Sequence, residues 1–133
     1  FFDKSNKVAK IKNVKYNISS NLNEILNKKY DLINFASCIQ YQDNFFKNLN
    51  YFDLKKTKFI IFTSTPLSLK KTYKSIQINH PNLTQNVYSL NSLIHKLKFK
   101  KFKLIFKSRN KDKYIACKKK IHKTLSLNLI FEK

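Results

Sequence analysis

The sequence predicts an α/β fold: one small domain in which alternating helices and strands form a mixed sheet covered by helices. Three observations predict it. A length of 133 residues suits one domain, and 42% hydrophobic residues with 14% aromatics supply a core. Apolar spacing switches repeatedly between a helical and a strand period. With no glycine and only two prolines, the chain has no linker long enough to divide it. The succession of helix and strand argues for a two-layer or three-layer arrangement.

The elements follow in order. Residues 1–20 carry Lys4, Lys7, Lys10, Lys12 and Lys15 with weak patterning, and read as a basic N-terminal arm or a solvated lead-in. The domain proper spans 21–133. Asn21 with Glu24 resembles a capping box ahead of a short helix carrying Leu22, Ile25 and Leu26. From Leu32 to Tyr41 the period is two, with Ile33, Phe35, Ile39 and Tyr41 on one face of a strand. Cys38, on the other face, reads as a small half-buried residue. Asp43 is placed to cap a second helix with Phe45, Phe46, Leu49 and Phe52 as its core stripe. Phe59–Phe62 is a buried strand. Thr65 as N-cap and Pro66 at the first helical position predict a third helix, with Leu69, Tyr73 and Ile76 on its apolar side. His80-Pro81-Asn82 marks a turn, and Gln85 to Leu90 a weak strand. Leu90, Leu93, Ile94 and Leu97 define an amphipathic helix. Phe102 to Lys107 is a strand and Ser108 to Lys113 a polar turn. The alternating Leu125, Leu127, Leu129 and Phe131 close the chain with a strand.

Charge narrows function. Lysine and arginine number 28 against seven acidic residues, a formal net charge of +21, and Arg109 is the only arginine. Phe, Tyr, Ile, Asn and Lys fill 76 positions whereas Gly, Ala, Arg and Pro fill six, the signature of a very AT-rich coding sequence. Codon drift accounts for lysine over arginine. It does not account for lysine over glutamate, because glutamate codons are also A-rich and only Glu24 and Glu132 occur. A polyanion-binding surface does, and nucleic acid is the expected partner.

Catalytic chemistry finds little support. Without glycine there is no phosphate-cradling loop and no dinucleotide fingerprint. The acids show no paired spacing, and His80, His95 and His122 stand far apart. Cys38 and Cys117 fit neither a disulfide scaffold nor a metal spacing. No enzyme activity, cofactor, metal or small-molecule substrate is expected. The longest apolar run is too short to span a bilayer, so no transmembrane segment is expected either. The absence of methionine suggests a processed or partial product.

Three basic clusters remain as a working surface: Lys55, Lys56 and Lys58; Lys70, Lys71 and Lys74; and the stretch Lys96 to Lys107 with Lys96, Lys98, Lys100, Lys101 and Lys103. Lysine is a hydrated point charge, suited to phosphate oxygens and poor at bidentate base reading. Recognition of backbone and shape, with strong salt dependence, follows. The hydroxyls of Thr63, Ser64 and Thr65, with free N–H groups at the start of the helix expected after them, add an anion site.

In size, charge and codon bias the chain resembles organellar, above all mitochondrial, ribosomal proteins. That resemblance implies a structural constituent of the mitochondrial ribosome in the matrix, with ribosomal RNA and neighbouring ribosomal proteins as partners. Within that class, Lys58 to Ile76 (KFIIFTSTPLSLKKTYKSI) and the later Val87 to Ile105 stretch resemble the stalk-base protein of the large subunit over most of residues 20–110. The resemblance implies residues 63–74 as the main RNA contact. The sequence departs from that family where its lysine-asparagine pair is replaced by Thr63-Ser64-Thr65-Pro66, in lacking its glycines, and in showing no C-terminal stalk-recruiting helix. Two other classes are compatible with the residues. An accessory subunit of a large mitochondrial membrane complex would show an exposed apolar face beside the lysines. A divergent RNA-processing enzyme would bring Asp31, Asp43 and Asp53 together around a metal.

Overall fold

The computed structural model describes residues 22–26, 28–77, 80–117 and 120–133. The basic arm, the Asn21 cap and the lysines at 118 and 119 lie outside them. A short helix α1 (Leu22–Leu26) precedes β1 (Leu32–Ala36). A 3-10 turn (Ile39–Tyr41), α2 (Phe45–Asn48) and a second 3-10 turn (Leu49–Tyr51) follow. Then come β2 (Phe59–Ser68), β3 (Tyr73–Gln77), β4 (His80–Ser89), α3 (Leu90–Phe99), β5 (Lys103–Cys117) and β6 (Lys120–Glu132). The result is a small single domain built on a mixed six-stranded sheet, with strand outweighing helix.

β2 is the strand on which the sheet is assembled. One of its edges carries antiparallel β6 along its whole length, from Phe59 opposite Glu132 to Leu67 opposite Leu125. Its other edge is shared. Parallel β1 takes residues 59–63, and parallel β4 takes Leu67 and Ser68. Since β4 pairs β3, β3 touches β5 at Ile76 opposite Ala116, and β5 pairs β6, the strands beyond Pro66 close into a ring.

A bulge at Thr63–Ser64 allows β2 to change neighbours, two residues there facing Asn128 alone. Ser64 takes φ of 49° and Ser37, at the end of β1, φ of 47°. These are left-handed positions that glycine would ordinarily fill. Asn128 accepts the Ser64 N–H at 2.8 Å, Ser37 donates its N–H to the Thr63 carbonyl at 3.0 Å, and its hydroxyl donates to the Ser64 carbonyl at 2.7 Å. Pro66 sits beside this bulge in the gap between β1 and β4, the kind of place a strand proline occupies.

The core lies on one face of the sheet. Phe35, Phe45, Phe62 and Phe131 form its aromatic centre, with Phe35 edge-on to Phe45 at 5.1 Å and stacked on Phe62 at 5.4 Å. The 3-10 turns, α2 and α3 cover it through Ile39, Leu49, Leu93 and Leu97. These helices gather on that face, which selects the two-layer arrangement.

Several expectations are corrected. The predicted helix after Pro66 is strand and turn, because Thr65, Pro66 and Leu67 pair with Leu127, Ser126 and Leu125, and tertiary pairing overrides local propensity. Its proposed apolar stripe is not buried: Leu69 is 63% exposed and Ile76 40%. The strand from Leu32 ends at Ala36, where Ser37 turns the chain, and Tyr41 faces solvent. Asp43 does not cap α2. Its carboxylate pairs with Lys74 at 3.4 Å, and Asn44 takes the N-cap position without a side-chain bond. The His80-Pro81-Asn82 turn lies within β4, and the Ser108–Lys113 turn within β5, where a bulge between Arg109 and Asp112 absorbs the polar residues. The Leu90–Leu97 helix stands as expected, capped by Ser89, which accepts the Ser92 N–H at 3.5 Å.

At the end of α3 the chain reverses through a Schellman motif. The Phe102 N–H reaches the Leu97 carbonyl at 3.0 Å and the Lys101 N–H that of Lys98 at 2.9 Å. Lys101 holds φ of 68° there. Lys101→Gly is expected to raise stability by about 1 kcal/mol in urea unfolding, since a β-carbon is disfavoured in that conformation. Unchanged or lower stability would contradict that reading.

Candidate nucleic-acid interface

The three lysine clusters of the sequence become two regions in space. Lys55, Lys56 and Lys58 lie in the loop that enters β2, and Lys58 is half of an exposed pair with Asp31 at 3.4 Å. Lys133 joins this loop to the third cluster. Its ammonium donates to the Leu54 carbonyl at 2.7 Å and the Lys55 carbonyl at 3.2 Å, and sits 5.4 Å from the centre of the Phe102 ring. Phe102 follows directly on the α3 reversal that carries Lys100 and Lys101, and Lys103 pairs in register with Glu132, next to Lys133. One end of the domain therefore carries Lys55, Lys56, Lys58, Lys100, Lys101, Lys103 and Lys133.

The second cluster is elsewhere. Lys70 and Lys71 occupy the exposed turn after β2, and Lys74 projects from β3 to Asp43. A ten-residue strand separates Lys70 and Lys71 from Lys58, roughly 30 Å at the usual rise, whereas Lys74 reaches Asp43, next to Asn44.

Beside the basic end is a cleft of about 250 Å³ between α2, its following 3-10 turn and α3. Lys47 and Asn50 come from one side and Lys96 and Lys100 from the other, while Phe46 and Leu49 form its floor with Asn44 at the margin. Lys96 and Lys100 are one helical turn apart, so their side chains fall on one stripe. Lys98 is exposed on the same helix. Among the described residues none of Lys47, Lys96, Lys98 and Lys100 is paired with a carboxylate. Lys47 was not singled out from the sequence, because it stands inside a segment whose phenylalanines read as core. Its basic neighbours are remote in the chain, and only the packing of α2 against α3 joins them. A second hollow of about 330 Å³ is lined mainly by Leu69, Leu90, Leu125 and Leu127, with Lys107 and Arg109. Its apolar lining suits phosphate less.

The anion site expected at Thr63–Thr65 is not formed, because no helix begins there. Thr65 is fully buried and donates its hydroxyl to the Thr63 carbonyl at 3.3 Å, and the Ser64 N–H is taken by Asn128. Ser64 also accepts from the Asn110 amide at 2.9 Å.

Among the described residues Asp31, Asp43 and Asp53 do not come together. Asp31 and Asp43 are paired with Lys58 and Lys74, and Asp53 accepts the Lys55 N–H at 3.1 Å. Among the described residues no three His, Cys, Asp or Glu side chains gather to hold a metal ion. Also among them, no helix is long and apolar enough to cross a membrane.

The face of the sheet opposite the core carries a different feature. Leu32, Phe59, Ile61, Ile130 and Phe106 fall on it by register across four strands. Leu32 and Phe106 are each 47% exposed, and the bulge between Leu104 and Phe106 turns Ile105 outward as well.

No protein-family model matches the chain, and no curated protein matches it.

Burial pushes the Cys38 thiol above its ordinary range, against a smaller opposing effect of a backbone hydrogen bond. Thiolate is therefore scarcer at Cys38 in the folded chain. Any stability from this shift is present below the unfolded-state pKa and fades as pH rises through the folded one. Alkylation of Cys38 at pH 8, followed by peptide mapping to separate it from Cys117, is expected to be slower in the native protein than in urea. Equal rates would contradict its burial.

Proposed function

We propose that this chain is a structural, ribosomal-RNA-binding constituent of an organellar ribosome, that of the mitochondrion. One observation carries the reading: lysines from two sequence-distant clusters, with Lys47 and Lys133, are collected at one end of the domain, in a chain whose formal net charge is +21. Exposed ion pairs such as Lys58–Asp31 contribute only about 0–1 kcal/mol and leave that field largely uncompensated. A structured RNA presents dense phosphates in fixed places and compensates it. Lysine ammonium groups on rigid helix and strand ends position a phosphate backbone without reading sequence.

The stalk-base assignment is the finer form of this proposal and draws on the sequence resemblance. The RNA-gripping helix it implies at residues 66–76 is strand and turn here. The proposal therefore places the RNA contact at Lys47, Lys55, Lys56, Lys58, Lys96, Lys98, Lys100, Lys101 and Lys103 rather than at 63–74.

The exposed apolar face favours a second reading. Leu32, Ile105 and Phe106 stand near Lys103 and Lys58 in the sheet register, the combination expected of an accessory subunit in a large mitochondrial complex. In a ribosome the same face would meet a neighbouring ribosomal protein.

Sedimentation of a native organelle lysate, with and without RNase, separates the two. Co-migration with a ribosomal subunit that RNase abolishes is expected. Co-migration with a membrane complex, indifferent to RNase, would contradict the proposal. With purified protein and RNA, Lys96→Ala is expected to reduce the slope of log affinity against log salt by about 1. An unchanged slope would remove Lys96 from the phosphate contacts.

A further inference from the structure

We infer that the cleft between α2 and α3 receives an unpaired nucleotide of RNA, so that the domain selects loops or bulges over continuous duplex. The inference rests on the RNA-binding reading and adds to it the form of the RNA. Two observations carry it.

The first is the shape and chemistry of the cleft. Its volume of about 250 Å³ lies between two elements, with Lys47 on one wall and Lys96 and Lys100 on the other. A duplex is convex and holds its bases inside, so it can set phosphates on the rim but nothing in the depth. An unpaired nucleotide puts phosphate and base at different depths. The lysines at the walls match the phosphate. Phe46, half-buried against Phe45 and Tyr88, offers a base the part of its ring that lines the cleft, and Asn50 at the side offers amide donor and acceptor. Asn44 stands at the mouth with its side chain making no cap to α2, although it occupies the cap position.

The second observation is Phe99. It is 76% exposed, more than any other large hydrophobic residue described. His95, one turn earlier, meets it edge-on at 4.8 Å and steadies the ring. By helix geometry, residues 95 and 99 form the stripe beside 96 and 100, so this aromatic pair flanks the lysine wall of the cleft. An exposed ring among lysines is the arrangement on which bases of single strands stack. The core uses the opposite side of α3, through Leu90, Leu93 and Leu97, and leaves Phe99 no packing role among the described residues.

The test compares a hairpin RNA with an unpaired loop and a blunt duplex of the same stem length, binding each to the full chain by fluorescence anisotropy at fixed salt. The variants are Phe99→Ala, Asn50→Ala and the double reversal Lys96→Glu with Lys100→Glu. Both alanine positions are exposed, and circular dichroism checks the fold. The hairpin is expected to bind tighter than the duplex. Phe99→Ala should weaken the hairpin about tenfold and leave the duplex nearly unchanged, as loss of a stacked base does. The double reversal should weaken both. Equal binding of hairpin and duplex, with Phe99→Ala silent and the reversal weakening both, would overturn the unpaired-nucleotide inference while leaving RNA binding intact. Failure to bind either RNA would overturn the RNA reading and this inference with it.

Discussion

The bulge in β2 at Ser64 is the constraint on which the rest of the molecule depends. A straight ten-residue strand would pair one neighbour on each side. The bulge bends β2 so that one edge serves β1 before it and β4 after it, and the far strands curl round to meet β5. The chain has no glycine to relieve the left-handed backbone there. It uses serine, and satisfies the polar groups through a network that joins Ser37, Ser64, Ser108, Asn110 and Asn128. The end of β1 is tied there to the middles of β2, β5 and β6, and the Phe35, Phe62 and Phe131 rings pack from the strands that this arrangement aligns.

From that alignment comes the basic end. The entry to β2, the reversal after α3 and the last residue of the chain are remote in sequence. They meet because β6 runs antiparallel to both β2 and β5. Lys133 is the tie, its charge spent on two carbonyls and the Phe102 ring, while the lysines around it face outward. Concentrated like charge disfavours a compact state through self-repulsion, and a polyanion removes that repulsion on binding. Fold and proposed partner are thus linked by the same electrostatics.

What could be read from the sequence follows the locality of the signal. α3 was legible because the Leu90, Leu93, Ile94 and Leu97 stripe that defines it lies within its own residues. The Leu125–Phe131 alternation announced β6 for the same reason. The span after Pro66 was not legible: proline, threonine and the Leu69–Tyr73–Ile76 spacing suit a helix start, whereas pairing with residues 125–127, sixty positions away, decided for strand. The polar Ser108–Lys113 segment misled similarly, because a bulge can carry polar residues through a long strand. For the site, the individual lysines were visible as runs. The merging of the first and third runs depends on β6 pairing both β2 and β5, and the contribution of Lys47 and the cleft it lines on helix packing, neither of which a local pattern encodes. The burial of Thr65 follows from the missing helix.

The central claim is that RNA is held at the basic end that carries Lys55, Lys56, Lys58, Lys100, Lys101 and Lys103 and at the cleft beside it that carries Lys47 and Lys96. Lysine acetylation footprinting addresses it most directly: the protein is labelled briefly with and without organellar ribosomal RNA, and each lysine is quantified by mass spectrometry. Protection of Lys47, Lys55, Lys56, Lys58, Lys96, Lys98, Lys100, Lys101 and Lys103 is expected with RNA, while Lys70 and Lys71, at the far end of β2, react as before. Uniform protection of all lysines, or protection confined to Lys70 and Lys71, would contradict it.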